Sequence, residues 1–184
     1  MTMNLAQPRQ LPCISVLTDR IVEKFLFRLN TLDNLVTDLT IVSPVLGTLL
    51  GTGLPLEQLK RVLRIRRIKT YVVTQSPFTE LTKKAPGHLQ ALEILNDLDL
   101  LEIRYNDSLH AKVYLCKCRS NEDSFGLLGS ANMTWTSISR NIEVGVLIRC
   151  FSEGDAIIHE LDSWFNNKLR PDSKIHKRMV MPIN

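Results

Sequence analysis

The sequence predicts an α/β fold in which a mixed β-sheet is flanked by helices. Segments of strand length alternate with amphipathic helices up to about residue 105, which is typical of parallel strands joined by crossover helices. Two more strands then follow with only a short turn between them, which indicates antiparallel pairing. The composition, 44% hydrophobic and 23% charged over 184 residues, is that of one ordinary domain with a real core.

The first part of the chain is predicted to alternate strictly between strands and helices. Its predicted strands are residues 11–17, 39–45, 69–74 and 98–105, and its predicted helices are 19–29, 55–64 and 87–95. In the first helix Ile21, Phe25 and Leu29 recur on one face. The second helix has Pro55 near its start, where the missing N–H costs nothing.

The second part is predicted to contain three strands and a closing helix. The strands are residues 109–118, 125–128 and 141–148, and residues 119–123 form the turn of a hairpin. Ser152 and Asp155 resemble a capping box that opens the helix. The apolar side of this helix carries Ile157, Ile158, Leu161, Trp164 and Phe165. The predicted domain is therefore 11–168, with an N-terminal extension at 1–10 and a basic C-terminal tail at 169–184.

Three short motifs gather the side chains that phosphoryl transfer needs: His110-Ala-Lys112, Gly129-Ser-Ala-Asn132 and Asn141-Ile-Glu143. Alternation along a strand would direct His110 and Lys112 to one face. The same period would bring Ser130 beside Asn132, and it would set Glu143 opposite the apolar row of Ile142, Val144 and Val146. We therefore expect one polar face that offers an imidazole, an ammonium, an amide and a carboxylate.

This pattern resembles the phospholipase D superfamily, particularly its small nucleases with a single motif. The resemblance rests on HxK, GSxN and an acid eleven residues after the asparagine, and its strong part covers about residues 105 to 148. It implies a mixed sheet flanked by helices. One position departs from the pattern, because Lys117 stands where the family has an aspartate. In the family that aspartate lies mostly outside the phosphate site, so the departure concerns local support more than chemistry.

The resemblance also implies a mechanism. His110 would attack phosphorus and form a phosphohistidine, while Glu143 would hold the imidazole ring. Lys112 and Asn132 would donate to the phosphate oxygens, with Ser130 as a third donor. The scheme requires no metal and no cofactor. Because the chain has one HxK motif, it resembles members that form a homodimer whose two His110 side chains share one site.

Positive charge is concentrated in one short segment, although the formal net charge is only +4. Its residues are Lys60, Arg61, Arg64, Arg66, Arg67 and Lys69. This run is either a nucleic-acid contact or the solvated face of a helix. The basic residues of the C-terminal tail are likewise either a flexible extension or a partner contact. DNA is favoured over RNA only weakly as the bound nucleic acid.

Several alternatives remain open at this stage. The chain could be a nuclease subunit that is active only with a partner, such as an ATPase or helicase in a restriction or antiphage system. It could also hydrolyse or transfer phospholipids, or be a copy that has lost activity. Residues 39–56 are interrupted by glycine and proline, and the first residues lack the pattern of a signal peptide, so a cytoplasmic location is expected. The four cysteines lack zinc-site spacing, and His88 and Trp135 are assigned to packing or capping.

Overall fold

An eight-stranded mixed β-sheet forms the centre of the protein. The structure is a computed structural model that describes residues 13–150 and 153–180. Its strands are β1 (Ile14–Leu17), β2 (Val36–Val42), β3 (Lys69–Thr74), β4 (Leu101–Tyr105), β5 (Val113–Cys118), β6 (Phe125–Gly129), β7 (Gly145–Arg149) and β8 (Lys174–Lys177). Their order is β1-β7-β6-β5-β2-β3-β4-β8. The neighbours β2, β3 and β4 are parallel, and every other adjacent pair is antiparallel.

Helices cover both faces of this sheet. They are α1 (Ile21–Thr31), α2 (Leu56–Ile65), α3 (Glu80–Lys83), α4 (Gly87–Asn96), α5 (Trp135–Ser139) and α6 (Glu153–Trp164). The apolar sides of α1, α2 and α4 pack on one face in the larger core cluster, where Phe25 contacts Tyr114 and Phe125. A second cluster fills the space between the other face and α6. The prediction of a mixed sheet flanked by helices is confirmed.

The two predicted strands that carry the HxK and Asn-Ile-Glu motifs begin later than expected. The strand predicted at 109–118 begins at Val113, because the Leu109 backbone is bonded to Asn106 and to the Gln75 side chain instead of a neighbouring strand. The strand predicted at 141–148 is β7 and begins at Gly145. Ile142 is fully exposed, so the predicted apolar row does not pack at that position.

The C-terminal segment, predicted as a basic tail after residue 168, contributes the edge strand β8. This strand pairs with β4, and the Lys177 ammonium donates to the carbonyl of Leu98 at 2.6 Å. Ahead of it, α6 passes into a π-helical turn, Phe165–Leu169. The Arg170 guanidinium that follows binds both carboxylate oxygens of Glu102, at 2.7 and 2.8 Å, and lies 4.8 Å from the centre of the Tyr71 ring.

Some predictions lie outside the described residues. They include the N-terminal extension and the Ser152 position of the capping box. The helix predicted after Ser152 is present as α6, with Ile158 buried and Ile157, Leu161 and Trp164 packed against the second cluster. No helix in the described part of the chain has both the length and the apolar composition needed to span a bilayer.

Candidate active site

Strand direction brings the three motif segments to one edge of the sheet. His110 and Lys112 directly precede β5, while Ser130 and Asn132 directly follow β6. Glu143 precedes β7. Because β6 runs antiparallel to both β5 and β7, its end meets their beginnings. The same edge carries the carboxyl ends of β2, β3 and β4, whose loops surround the motifs.

The HxK segment lies directly before β5 and outside the sheet. His110 is exposed, and the Lys112 ammonium donates to the His110 carbonyl at 2.9 Å. The preceding residue, Leu109, is buried, and its carbonyl accepts a hydrogen bond from Gln75 Nε2 at 3.0 Å. The segment is therefore held on its buried side while its imidazole faces solvent.

The GSxN loop is anchored from below by buried polar groups. Tyr114 Oη donates to the Ala131 carbonyl at 2.9 Å, and the Met133 amide donates to Ser43 Oγ at 3.1 Å. Ala131 and Met133 are buried, so Asn132 between them is presented at the sheet edge. Burial raises the pKa of the Tyr114 hydroxyl far above its ordinary value, so this donor keeps its proton.

The Asn132 side chain carries unused hydrogen-bonding capacity. Its amide oxygen is buried, yet it has no hydrogen-bond partner among the described residues. A buried polar atom without a partner is costly and therefore uncommon. Asn132 Oδ1 can therefore accept a hydrogen bond, while the Nδ2 group of the same amide is the donor.

Ser130 and Glu143 form a pair. The Ser130 hydroxyl donates to the Glu143 carboxylate and also accepts from the Val144 amide at 3.1 Å. Asn141 Nδ2 donates to the other carboxylate oxygen at 3.1 Å. None of the hydrogen bonds described for Glu143 goes to the His110 ring, so its predicted role as ring holder requires a local movement. The Ser130 hydroxyl, rather than the His110 ring, is therefore the described partner of this Glu143 oxygen.

The predicted basic run lies elsewhere. Its residues fall from the middle of α2 to its end, in the loop to β3 and at the first residue of β3, at the end of the sheet opposite the motifs. Several are engaged within the protein: Lys60 with Glu57 and Asp97, Arg64 with the Asp97 carbonyl, and Arg66 with Asp33 and the Asn30 carbonyl. Arg61 and Arg67 are exposed. The structure therefore does not bring this run to the motif residues, and its binding of nucleic acid stays a prediction.

Lys117, at the departure from the family pattern, is part of an ion pair. Its ammonium lies 2.7 Å from a carboxylate oxygen of Asp162 on α6. The residue is near the far end of β5, away from His110. It thus joins the sheet to the helix layer and has no contact with the motif edge.

Sequence reasoning missed three supporting side chains, Ser43, Gln75 and Tyr114, and it assigned a fourth, His88, to packing or capping. Ser43 and Gln75 each come directly after a buried parallel strand and shortly before a proline. The carboxyl ends of parallel strands are where α/β sheets form their sites, so this placement was the available signal. Trp135, assigned to packing, lies near Gly51, where an added Cβ would be 3.5 Å from the ring.

The site offers a nucleophile, cation and amide rather than a preformed metal centre. Among the described residues, no group of three or more His, Cys, Asp or Glu side chains is arranged to hold a metal ion. The metal-independent reaction itself stays a prediction. Without a metal ion, the His110 imidazole can attack the phosphorus of a bound phosphate and the Lys112 ammonium can donate to its oxygens.

Comparison with known proteins extends the likeness beyond the motifs. A family model described as "Cardiolipin synthase, PLD-like domain" matches residues 51–169, which include all three motif segments. Nuc from Salmonella typhimurium, a phospholipase D family member, has a TM-score of 0.59 at 15% identity and matches over 90% of this chain and 99% of its own. No curated protein matches the sequence.

Two further solved structures share the fold. NucT from Helicobacter pylori has a TM-score of 0.57 at 14% identity, over 85% of this chain and 95% of its own. The phosphatidylserine synthase of Haemophilus influenzae Rd KW20 has a TM-score of 0.58 at 14% identity, over 91% of this chain but only 41% of its own. At such identities the likeness concerns the fold.

Proposed function

The chain belongs to the phospholipase D-like domain family, and from this we propose that it is a phosphodiesterase that cleaves nucleic acid, with DNA the favoured substrate. The observation that carries the proposal is the convergence of His110, Lys112 and Asn132 on one edge of the sheet. The resemblance of residues 105–148 to small single-motif nucleases favours nucleic acid over lipid. We also propose a homodimer, because one copy supplies only one motif histidine.

In the first step a nitrogen of the neutral His110 ring attacks phosphorus. A nitrogen–phosphorus bond forms, the bond from phosphorus to the leaving oxygen breaks, and that oxygen takes a proton from a general acid. Lys112 and Asn132 donate to the non-bridging oxygens as charge develops there. The Lys112 ammonium has three N–H donors, so it can donate to the phosphate while it keeps its bond to the His110 carbonyl.

In the second step water attacks the phosphohistidine. The water loses its proton to a general base, a new oxygen–phosphorus bond forms, and the bond to His110 breaks. The acid of the first step and the base of the second are the same group, which we assign to His110 of the second copy in a twofold dimer. Glu143 would orient the ring after exchanging its bond with Ser130.

The test is cleavage of labelled single- and double-stranded DNA in excess EDTA. We expect cleavage by the wild-type protein to survive chelation and His110→Ala to lower the rate by roughly 1,000-fold or more, because the nucleophile is lost. His159→Ala is the matched control, since this exposed histidine lies on α6. Cleavage by His110→Ala at the wild-type rate would exclude the mechanism.

The remaining outcomes separate the alternatives. If neither protein cuts DNA, turnover of phosphatidyl liposomes would indicate a phospholipid enzyme, and activity restored by an ATPase or helicase would indicate a partner-dependent subunit. Light scattering tests the dimer independently. A strict monomer that still cleaves would contradict the shared site, because its leaving group would lack the second histidine.

A further inference from the structure

Two buried polar side chains support the motif edge, His88 at the start of α4 and Gln75 after β3, and none of the hydrogen bonds described for them goes to a motif side chain. His88 is 0% exposed and Gln75 is 4% exposed. The Leu46 amide donates to His88 Nδ1 at 3.0 Å, so the ring proton is on Nε2, which donates to the Gln75 carbonyl at 3.1 Å. Burial lowers the pKa of His88, which favours this neutral form.

From Gln75 the connection continues to the HxK segment. Its Nε2 donates to the carbonyl of Leu109 at 3.0 Å, and Leu109 is the residue directly before His110. The orientation of the amide is determined by Thr79, whose hydroxyl donates to Gln75 Oε1 at 2.8 Å. Both ends of the side-chain amide are thus engaged, and the amide holds the peptide that joins Leu109 to His110.

From His88 a second connection leads to the GSxN loop. The ring holds Leu46, and the next amide, that of Gly47, donates to the Met133 carbonyl at 2.7 Å. Leu46 and Met133 also form a parallel β-bridge. Met133 directly follows Asn132. One buried histidine therefore links loops that end beside the two halves of the candidate active site.

We propose that Gln75 and His88 are positioning residues that set the distance between His110 and Asn132. This inference rests on the proposed phosphodiesterase function and assigns residues that the motifs do not include. A buried polar network is costly unless fully satisfied, and apolar side chains could fill the same space. Here each branch ends one residue from a motif side chain, so the network determines geometry at the site as well as packing.

The test compares Gln75→Met with wild type. Methionine keeps the length of the side chain but cannot donate to the Leu109 carbonyl. On bis(4-nitrophenyl) phosphate we expect kcat to fall by about tenfold or more with KM changed less than about twofold, because misplacement of a catalytic group affects the chemical step. Amide hydrogen exchange at residues 109–112 should become faster.

Thr70→Val is the matched control. Thr70 is equally buried at the opposite end of β3, and its hydroxyl donates to the Ile68 carbonyl at 3.2 Å. The Thr70→Val variant should be less stable than the wild type, with unchanged kcat and unchanged amide hydrogen exchange at residues 109–112. If Gln75→Met does not fold, Thr79→Val is used instead, because it removes the hydroxyl that orients the Gln75 amide. Thr79→Ser keeps this hydroxyl and should retain the wild-type kcat.

The outcomes distinguish this proposal from the proposed function. Wild-type turnover with unchanged kcat and unchanged exchange in Gln75→Met would overturn the positioning role. An equal fall of kcat in Gln75→Met and Thr70→Val would also overturn it, since the effect would then be general destabilisation. If the wild-type protein turns over no phosphodiester, the proposed function fails, whereas the exchange comparison still tests the link between Gln75 and the His110 segment.

Discussion

At the scale of single residues, Lys117 stands where the family has an aspartate and takes part in an ion pair. The aspartate expected at this position is replaced by a cation that pairs with Asp162 on α6. Asp38 on β2 is its neighbour in the strand register. The lysine therefore lies near carboxylates from two elements, β2 and α6. Its charge is opposite to that of the family's aspartate, and its ion pair with Asp162 connects β5 to α6.

Restoring the family residue should consequently harm this protein. Lys117→Asp would bring three carboxylates together, and we expect the free energy of unfolding to fall by about 1 kcal/mol. The expected loss of stability is small because the Lys117 side chain is 43% exposed, and solvent screens its ion pair. Adding Asp162→Lys should restore most of the loss. Urea denaturation measures both, and Lys117→Gln is the uncharged control. Equal stability of Lys117→Asp and Lys117→Gln would contradict the argument.

We expect His88 to make the free energy of unfolding depend on pH. Its pKa in the folded state is lowered from 6.5 by burial, so below that pH the unfolded chain binds a proton that the folded protein excludes. The free energy of unfolding should therefore decrease as the pH falls below 6.5, with a slope of up to about 1.4 kcal/mol per pH unit. His88→Asn should lack this contribution. Thermal unfolding between pH 8 and 5 is the measurement, and parallel curves for the two proteins would refute it.

At the scale of elements, the site depends on how closely the ends of β6 and β7 approach. A Cβ added at Gly129 would lie 2.6 Å from the Val144 carbonyl oxygen and 2.9 Å from Gly145 Cα. Both are backbone atoms, which cannot rotate aside. The glycine of the GSxN motif is therefore required by the spacing of two strands, and Ser130 is placed beside Glu143 as a result.

Gly129→Ala should force these strand ends apart. We expect the free energy of unfolding to fall by about 2 to 3 kcal/mol and phosphodiester turnover to fall with it, because Ser130 and Asn132 shift. Gly126→Ala on the same strand is the control. Its added Cβ would meet mainly the tips of Ile158 and Leu115, which can adjust. If calorimetry and turnover gave the same values for both variants, the backbone argument would be wrong.

The features that could be predicted from the sequence depend on residues close together in the chain. The central elements and His110, Lys112 and Asn132 were predicted because periodicity and motifs are short-range signals. The hydrogen bonds of Gln75 and His88 were not predicted, because they join residues that are 34 and 42 positions apart in the chain. Strand β8 was missed because Lys-Ile-His-Lys has no apolar period, and its pairing is decided by the free edge of β4. The late starts of β5 and β7 likewise depend on loop contacts.

At the scale of the whole molecule, the two functional predictions fall on opposite edges of the sheet. The motif segments meet at the carboxyl ends of β2, β3 and β4, and the basic run lies at the beginning of β3. Strand β3 has six residues, which at about 3.3 Å each separates the edges by roughly 15 to 20 Å. A nucleic acid that contacts both must pass around the domain or across a second copy.

Charge reversal tests whether this distant surface contributes. Arg61→Glu combined with Arg67→Glu should weaken DNA binding and reduce the slope of log K against log salt by about 2, because two phosphate contacts are lost. Turnover of bis(4-nitrophenyl) phosphate should not change. Lys168→Glu, an exposed cation elsewhere, is the control. Unchanged affinity and slope in the double variant would identify the run as a solvated helix face.

The π-helical turn at Phe165–Leu169 has a consequence for rotation about the helix axis. Each residue of an α-helix advances its side chain by about 100°, and a π-helical turn holds more residues than an α-helical one. The additional residue in the turn sets the angle about the helix axis at which Arg170 leaves the helix toward Glu102 and Tyr71. Deleting one residue from this turn would rotate the guanidinium by about a quarter of a revolution away from both partners. The number of residues in the turn therefore aligns the C-terminal segment with the sheet, together with the burial of Phe165 and Leu169.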